Sequence, residues 1–396
     1  MHEEPGAVRP PGRIAFLEIG FRPFFLGASV FAVVALALWL GTLSGAVAIP
    51  SPWQRLDWHR HEMLFGLVGA IIAGFLLTAV PNWTGRRPLS GTPLAALAGL
   101  WLLARLVQFV PGAPGLGFAA ALDAAFPLAL ALWAGREIRA SGNRNLPVAI
   151  LVALFALAGL GDHARLVGLI ALADASYRFG LALVLILISL IGGRIIPAFT
   201  RNWLTARAMG APMPVMFGVF DRLVLVLSAL ALLAWTLAPA GVASAWLLIG
   251  AGVLHAIRLA RWAGWRTFAE PLLAALHLAY AWLPAGLLLM GFSILLPLLP
   301  PSAALHALTA GAIGAMTLAV MTRATLGHSG RPLHAGPGTV LIYACVHLGA
   351  LVRVLAPLWP DAAAPLLMLA GLLWGGAWLL FAFIYGPMIL RPPPAR

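Results

Sequence analysis

Apolar runs of about twenty residues recur along the chain, each broken by a short segment carrying arginine, proline, glycine or aspartate. A helix of about that length crosses the hydrocarbon core of a bilayer. Twelve such runs are readable, at residues 24–43, 62–80, 94–110, 116–135, 146–161, 177–197, 219–238, 243–262, 272–297, 303–322, 338–356 and 363–388. The pattern predicts an all-α polytopic membrane protein with about twelve transmembrane helices, forming a single integral membrane domain over residues 1–396. The connections are too short to hold a soluble domain. The longest, 198–218, falls between the sixth and seventh runs and would divide the chain into two six-helix halves, although no sequence repeat relates them. The tail up to Gly20 lacks the apolar segment of a cleaved signal peptide and is expected to be retained.

Composition agrees with this pattern. The chain is 62% hydrophobic and 9% charged, with a mean hydropathy of +0.97, which excludes an ordinary water-soluble fold. Its net charge of +13 comes from 25 basic residues, all of them arginine. These are dispersed in the gaps between apolar runs, which excludes a basic nucleic-acid-binding domain and suits membrane topology instead. With the N-terminus cytoplasmic, only Arg55, Arg60, Arg165 and Arg178 fall on the outer side, and Arg105 and Arg353 lie inside spans. The other 19 of the 25 are cytoplasmic. That asymmetry predicts an even number of spans with both termini cytoplasmic. A lone cysteine, Cys345, excludes an intramolecular disulfide and a cysteine-rich metal cluster. No glycine-rich phosphate loop, H-E-x-x-H or C-x-x-C motif occurs.

Ionisable residues in a membrane are costly, which makes each one a candidate for function. The chain has ten histidines. In the predicted topology His59, His61, His163 and His306 lie near the outer face, and His255 and His347 near mid-membrane. His277, His328 and His334 lie towards the cytoplasm, and His2 is in the tail. His59 and His61 point about 200° apart on a helix, so they cannot both face one metal unless the helix begins between them. One would face inward while the other bonds elsewhere or serves a second metal. Glu62, three residues beyond His59, could orient it. His306 continues on its face into Ala310 and Gly314, a small-residue surface suited to a flat macrocycle. His347 shares a face with Tyr343 and Ala350, and His277 with Tyr280 and Ala281. The plainer alternative is that such histidines bond neighbouring helices together. Arg105 and Arg353 could pair with carboxylates or snorkel to the interface. Asp123, Asp162 and Asp174 sit too close to span ends to suggest proton relays. The i, i+4 row Ala307, Gly311, Ala315 and Ala319 indicates close helix packing.

Several local sequences together resemble one family. They are Phe21-Arg22-Pro23-Phe24-Phe25, Trp58-His59-Arg60-His61-Glu62-Met63-Leu64-Phe65-Gly66, and Phe75 through Gly85. Gly193-Arg194-Ile195-Ile196-Pro197-Ala198-Phe199, His306 through Arg323, and Gly327-His328-Ser329-Gly330-Arg331 complete the set. The chain resembles the NnrS family of haem- and copper-containing bacterial membrane proteins over nearly its whole length. Ser329 stands where that family's motif has threonine, and a hydroxyl remains. The resemblance implies a bacterial inner-membrane protein of the nitric oxide and nitrosative stress response, associated with denitrification. It also implies a histidine-ligated b-type haem, copper, and nitric oxide binding, turnover or electron transfer, with any electron donor a separate molecule.

His59, His61, Glu62, His306, Arg323, His328 and Arg331 fall inside the family motifs. The resulting cofactor-binding candidates are His59, His61, His306, His347, His277, Arg323, His328 and Arg331. The metal ligands among them are His61, His306, His347 and His59, and Met63 would favour Cu(I). Replacing His306 or His61 with alanine is expected to lower haem content. Two other classes fit less well. A secondary transporter would share the twelve spans and Gly85-Arg86-Arg87, but few carboxylates are available for proton coupling. A haem-copper oxidase would need an adjacent pair of histidines that the chain lacks.

Overall fold

The computed structural model describes residues 15–51, 53–110, 112–166, 168 and 174–392. His2, Arg9, Arg13 and Arg396 lie outside the described residues. Twelve helices are long and apolar enough to cross a membrane. They are α1 (Phe21–Leu43), α2 (Arg55–Thr84), α3 (Thr92–Phe109), α4 (Gly115–Ala140), α5 (Leu146–Leu166) and α6 (Ala175–Ala206). The series continues with α7 (Val219–Leu237), α8 (Val242–Arg266), α9 (Pro271–Leu295), α10 (Pro301–His328), α11 (Pro337–Leu358) and α12 (Pro360–Leu390). No strand occurs among the described residues.

All twelve apolar runs correspond to these helices, but several helices are longer than their runs. α2 begins seven residues earlier, at Arg55, and α10 continues to His328. Hydropathy detects only the part that meets hydrocarbon, whereas intrahelical hydrogen bonding continues through polar turns at either end. The difference matters because His59, His61 and His328 all belong to such extensions.

The helices form a core and a rim. The most apolar windows of α2, α10, α9 and α6 are 78%, 72%, 67% and 61% buried, against 33% for α1, α3 and α12. The rim helices turn residues such as Leu132, Leu372 and Phe383 outwards. This apolar surface fits contact with lipid. Two ends can be distinguished: a terminal end, where α1 begins and α12 finishes, and a distal end, where α1 leads into α2. Arg22 closes the terminal end. Its guanidinium donates to the carbonyls of Ala15 (2.9 Å), Ile389 (3.2 Å) and Arg391 (3.0 Å), joining the start of α1 to the last turn of α12. The Phe-Arg-Pro-Phe-Phe motif thus has a structural task, satisfying carbonyls that the end of a helix leaves unpaired.

Candidate functional site

The chemistry is concentrated at the distal end, on α2 and α10. Both helices carry a histidine in their first turns and then pass through a seven-residue π-helical stretch, Glu62–Val68 in α2 and Ala307–Ile313 in α10. π-Helical turns are uncommon and often occur at functional sites. Each receives a hydrogen bond from an indole of a neighbouring helix. Trp101 Nε1 donates to Gly66 O at 2.9 Å, and Trp374 Nε1 donates to Ala310 O at 3.2 Å. Trp374 can come so close because its neighbours have no side chains. A Cβ on Gly314 would fall 2.7 Å from the indole nitrogen, and one on Gly349 would fall 2.7 Å from the Trp374 backbone nitrogen.

Between these helices lies a cavity of about 750 Å³, walled mostly by apolar side chains of α1, α2, α6, α9, α10, α11 and α12. That volume lies within the usual ~300–1,000 Å³ of cofactor and ligand sites. His59 and His306 both line it, with Arg353. His306 Nδ1 lies 2.8 Å from the carbonyl of Ser302. A carbonyl can only accept, so Nδ1 carries the proton and Nε2 keeps the lone pair, the tautomer a metal-binding imidazole adopts. The His59 ring stacks on Trp39 with centroids 4.3 Å apart and planes at 12°. It makes no hydrogen bond among the described residues, and its Nδ1 is buried without a partner. Arg353 Nη1 is likewise buried and unpaired. Unpaired polar groups are costly in an apolar wall. Their gathering here suits a ligand that offers both a metal and carboxylates.

On the opposite face of α2 is a second polar site. His61 is fully buried, with Nδ1 3.0 Å from Asp162 Oδ2 and Nε2 3.0 Å from Asp123 Oδ2. His163 Nε2 reaches the same Asp123 oxygen at 2.8 Å, and Gln108 Nε2 donates to it at 2.6 Å. Arg105 pairs with both Asp123 and Glu62, the latter at 2.7 Å. Trp53 covers the two imidazoles, its ring centroid 4.5 Å from that of His61 and 5.0 Å from that of His163. His61, Asp123 and His163 form a buried group able to hold a metal ion. Arg60 lies between the sites. It lines the cavity while pairing with Asp174 at 2.9 Å and Asp57 at 3.7 Å.

The structure thus separates His59 from His61, as their spacing on a helix requires, and joins each to a histidine distant in sequence. Some expectations change. Glu62 orients no histidine; it is committed to Arg105. Of the two intramembrane arginines, Arg105 is neutralised by the protein's own acids although its Nε is buried without a partner, whereas Arg353 forms no ion pair among the described residues and its Nη1 is buried without a partner. Met63 lines the cavity and is not part of the His61 group. Asp123 and Asp162 are buried although close to helix ends, because neighbouring helices and Trp53 cover them. Sequence reading missed these two acids. The adjacent Asp162 and His163 near the end of an apolar run were their only signal.

The remaining candidates lie elsewhere. His347 Nδ1 accepts a hydrogen bond from Trp282 Nε1 at 2.9 Å, bracing α11 against α9 outside the cavity lining. His277 Nε2 lies 2.9 Å from Thr200 Oγ1, towards the terminal end. Arg323 stacks over Phe199 at 4.2 Å, and the His328 ring lies 6.0 Å from that of Phe21. Arg331 has its Nε buried without a partner. His328 is 22 residues along α10 from His306, roughly 33 Å at the helical rise, so His328 and Arg331 cannot reach the cavity. His255 is fully satisfied. Arg258 donates to the Tyr280 hydroxyl (3.0 Å), which bonds His255 Nδ1 (2.9 Å), while His255 Nε2 bonds Ser228 (2.8 Å).

No curated protein sequence matches the chain. The family model for NnrS protein matches residues 15–393. Since that match takes in every membrane helix and both polar sites of the distal end, the chain belongs to the NnrS family.

Proposed function

We propose that this multi-pass membrane protein of the nitric oxide response binds a b-type haem in the distal cavity, with His306 as a ligand that would hold its iron and nitric oxide as the small molecule received there. The carrying observation is the convergence on one apolar cavity of a histidine with its Nε2 lone pair free, a histidine with no hydrogen bond, and an unpaired arginine. A bound haem would supply an iron able to take a diatomic ligand. The chain's own residues would do the rest. Ser302 O holds the His306 ring in the ligating tautomer, as an outer hydrogen bond commonly does for a metal-bound imidazole. Arg353 would pair with a propionate. Trp39 fixes the plane of His59, which would face the bound group from α2, and the apolar walls would exclude water. In the inner membrane, with both termini cytoplasmic, the cavity would lie towards the periplasmic face.

The test is a visible absorption spectrum of the detergent-purified protein, oxidised and dithionite-reduced, before and after adding nitric oxide. A Soret band with reduced α/β bands that move on adding nitric oxide is the expected result. Bands that stay unshifted would replace ligand binding with electron transfer. No Soret band in protein from haem-replete cells would sink the haem reading, and saturable solute uptake by that preparation would favour a transporter.

A further inference from the structure

We infer that His61, His163 and Asp123 form a mononuclear site for a divalent first-row transition metal, separate from the distal cavity and independent of whether that cavity holds haem. Three observations carry this. The first is distance. Asp123 Oδ2 lies 3.0 Å from His61 Nε2 and 2.8 Å from His163 Nε2, and the three atoms lie within 4.8 Å of one another. Two ligand atoms each about 2.0–2.2 Å from one ion, at roughly a right angle, are themselves about 3 Å apart.

The second is orientation. The other nitrogen of His61 faces Asp162 Oδ2 at 3.0 Å, the carboxylate–histidine–metal arrangement that fixes a ligating imidazole. Arg165 holds Asp162 in turn at 3.4 Å.

The third is charge. The ion pairs linked to this site join five carboxylates (Asp57, Glu62, Asp123, Asp162, Asp174) to three guanidinium groups (Arg60, Arg105, Arg165). Carboxylates thus outnumber guanidinium groups in these pairs, an acidic setting that suits a cation. The donor set is two imidazoles and a carboxylate, without sulfur. It therefore favours Cu(II), Zn(II), Fe(II) or Mn(II) over the Cu(I) that a thioether would select.

The experiment strips the purified full-length protein with chelator, adds one equivalent of Cu(II), and records its EPR spectrum. Zn(II) and Mn(II) serve as competitors. One ion per chain is expected, with hyperfine coupling from two nitrogens. His163→Gln and Asp123→Asn should each abolish stoichiometric binding, and Asp162→Asn should weaken it by about 10–100-fold. His59→Ala should retain the ion. Monodisperse elution checks that each variant is folded. Should a ligand variant fail that check, the nitrogen coupling in the unaltered protein decides. Absence of bound Cu(II), Zn(II) and Mn(II) at micromolar concentrations, coupling from no nitrogen, or full binding by folded His163→Gln and Asp123→Asn would each overturn the assignment. A Soret band missing from a preparation that binds Cu(II) would instead remove the haem reading and leave this site standing.

Discussion

Replacing His306 with alanine is expected to strip the purified protein of haem, while His61→Ala retains it. Sequence reasoning treats the two histidines alike, since both stand near the outer end of an apolar run within family motifs. The structure distinguishes them. His306 lines the distal cavity with Nε2 unbonded, whereas both ring nitrogens of His61 are engaged by carboxylates on the other side of α2. Loss of groups that merely orient a ligand already costs about 10–100-fold in metal affinity. Loss of the ligand itself should therefore lower haem per chain by more than about tenfold. Pyridine haemochrome content relative to protein is the measurement. Added imidazole should restore part of the Soret band in His306→Ala, since truncation leaves room for it beside the helix, and that recovery separates ligand loss from misfolding. Full haem retention by His306→Ala would remove the ligand assignment. Loss from His61→Ala together with retention by His306→Ala would move the ligand to the other face of α2.

The second large effect concerns stability rather than cofactor. Arg258→Met should destabilise the protein by about 3–5 kcal/mol, the usual cost of leaving one partner of a buried ion pair uncompensated. Arg258 Nε donates to Asp221 Oδ1 at 2.7 Å, with both side chains buried. The same guanidinium donates to Ser189 O at 2.9 Å and to the Tyr280 hydroxyl at 3.0 Å. One side chain of α8 therefore holds α6, α7 and α9. Asp221 also accepts from the Gly218 backbone nitrogen at 2.9 Å, capping α7. The double variant Arg258→Met/Asp221→Leu should recover part of the loss, because it leaves no lone buried charge. The thermal midpoint in detergent, read by monodisperse elution after heating, checks both. A wild-type midpoint for Arg258→Met would show that the pair contributes little.

How far the site could be read in the sequence differs from residue to residue. His59 and His306 were identifiable because histidine at the head of an apolar run is costly and has few purely structural reasons to be there. That His59 faces away from His61 also followed from helical spacing alone. His163 was visible as a histidine at the same depth, but its partnership with His61 was not. Asp123 and Asp162 were discounted because nearness to a helix end usually means water. Here α3, α4 and α5 pack around them, and Trp53 closes over the imidazoles. The π-helical stretches gave no sequence signal. They coincide with hydrogen bonds from Trp101 and Trp374, on helices distant in the chain, to the carbonyls of Gly66 and Ala310.

The sequence by itself determined twelve apolar helices, a membrane as their solvent, and a distribution of arginine that predicts how they thread it. These are local properties. A helix satisfies its own backbone hydrogen bonds, so its length and hydropathy are written within one continuous segment. Only the tertiary structure decided that His59 shares a cavity with His306, that His61 joins His163 and Asp123, and that Arg105 rather than Arg353 meets the protein's own carboxylates. The reason is physical. A helix between lipid and protein can be apolar all round, so its composition does not say which face turns inwards. Neighbours in a membrane bundle are chosen by close packing and by polar partners, and both depend on side chains from helices far apart in the chain.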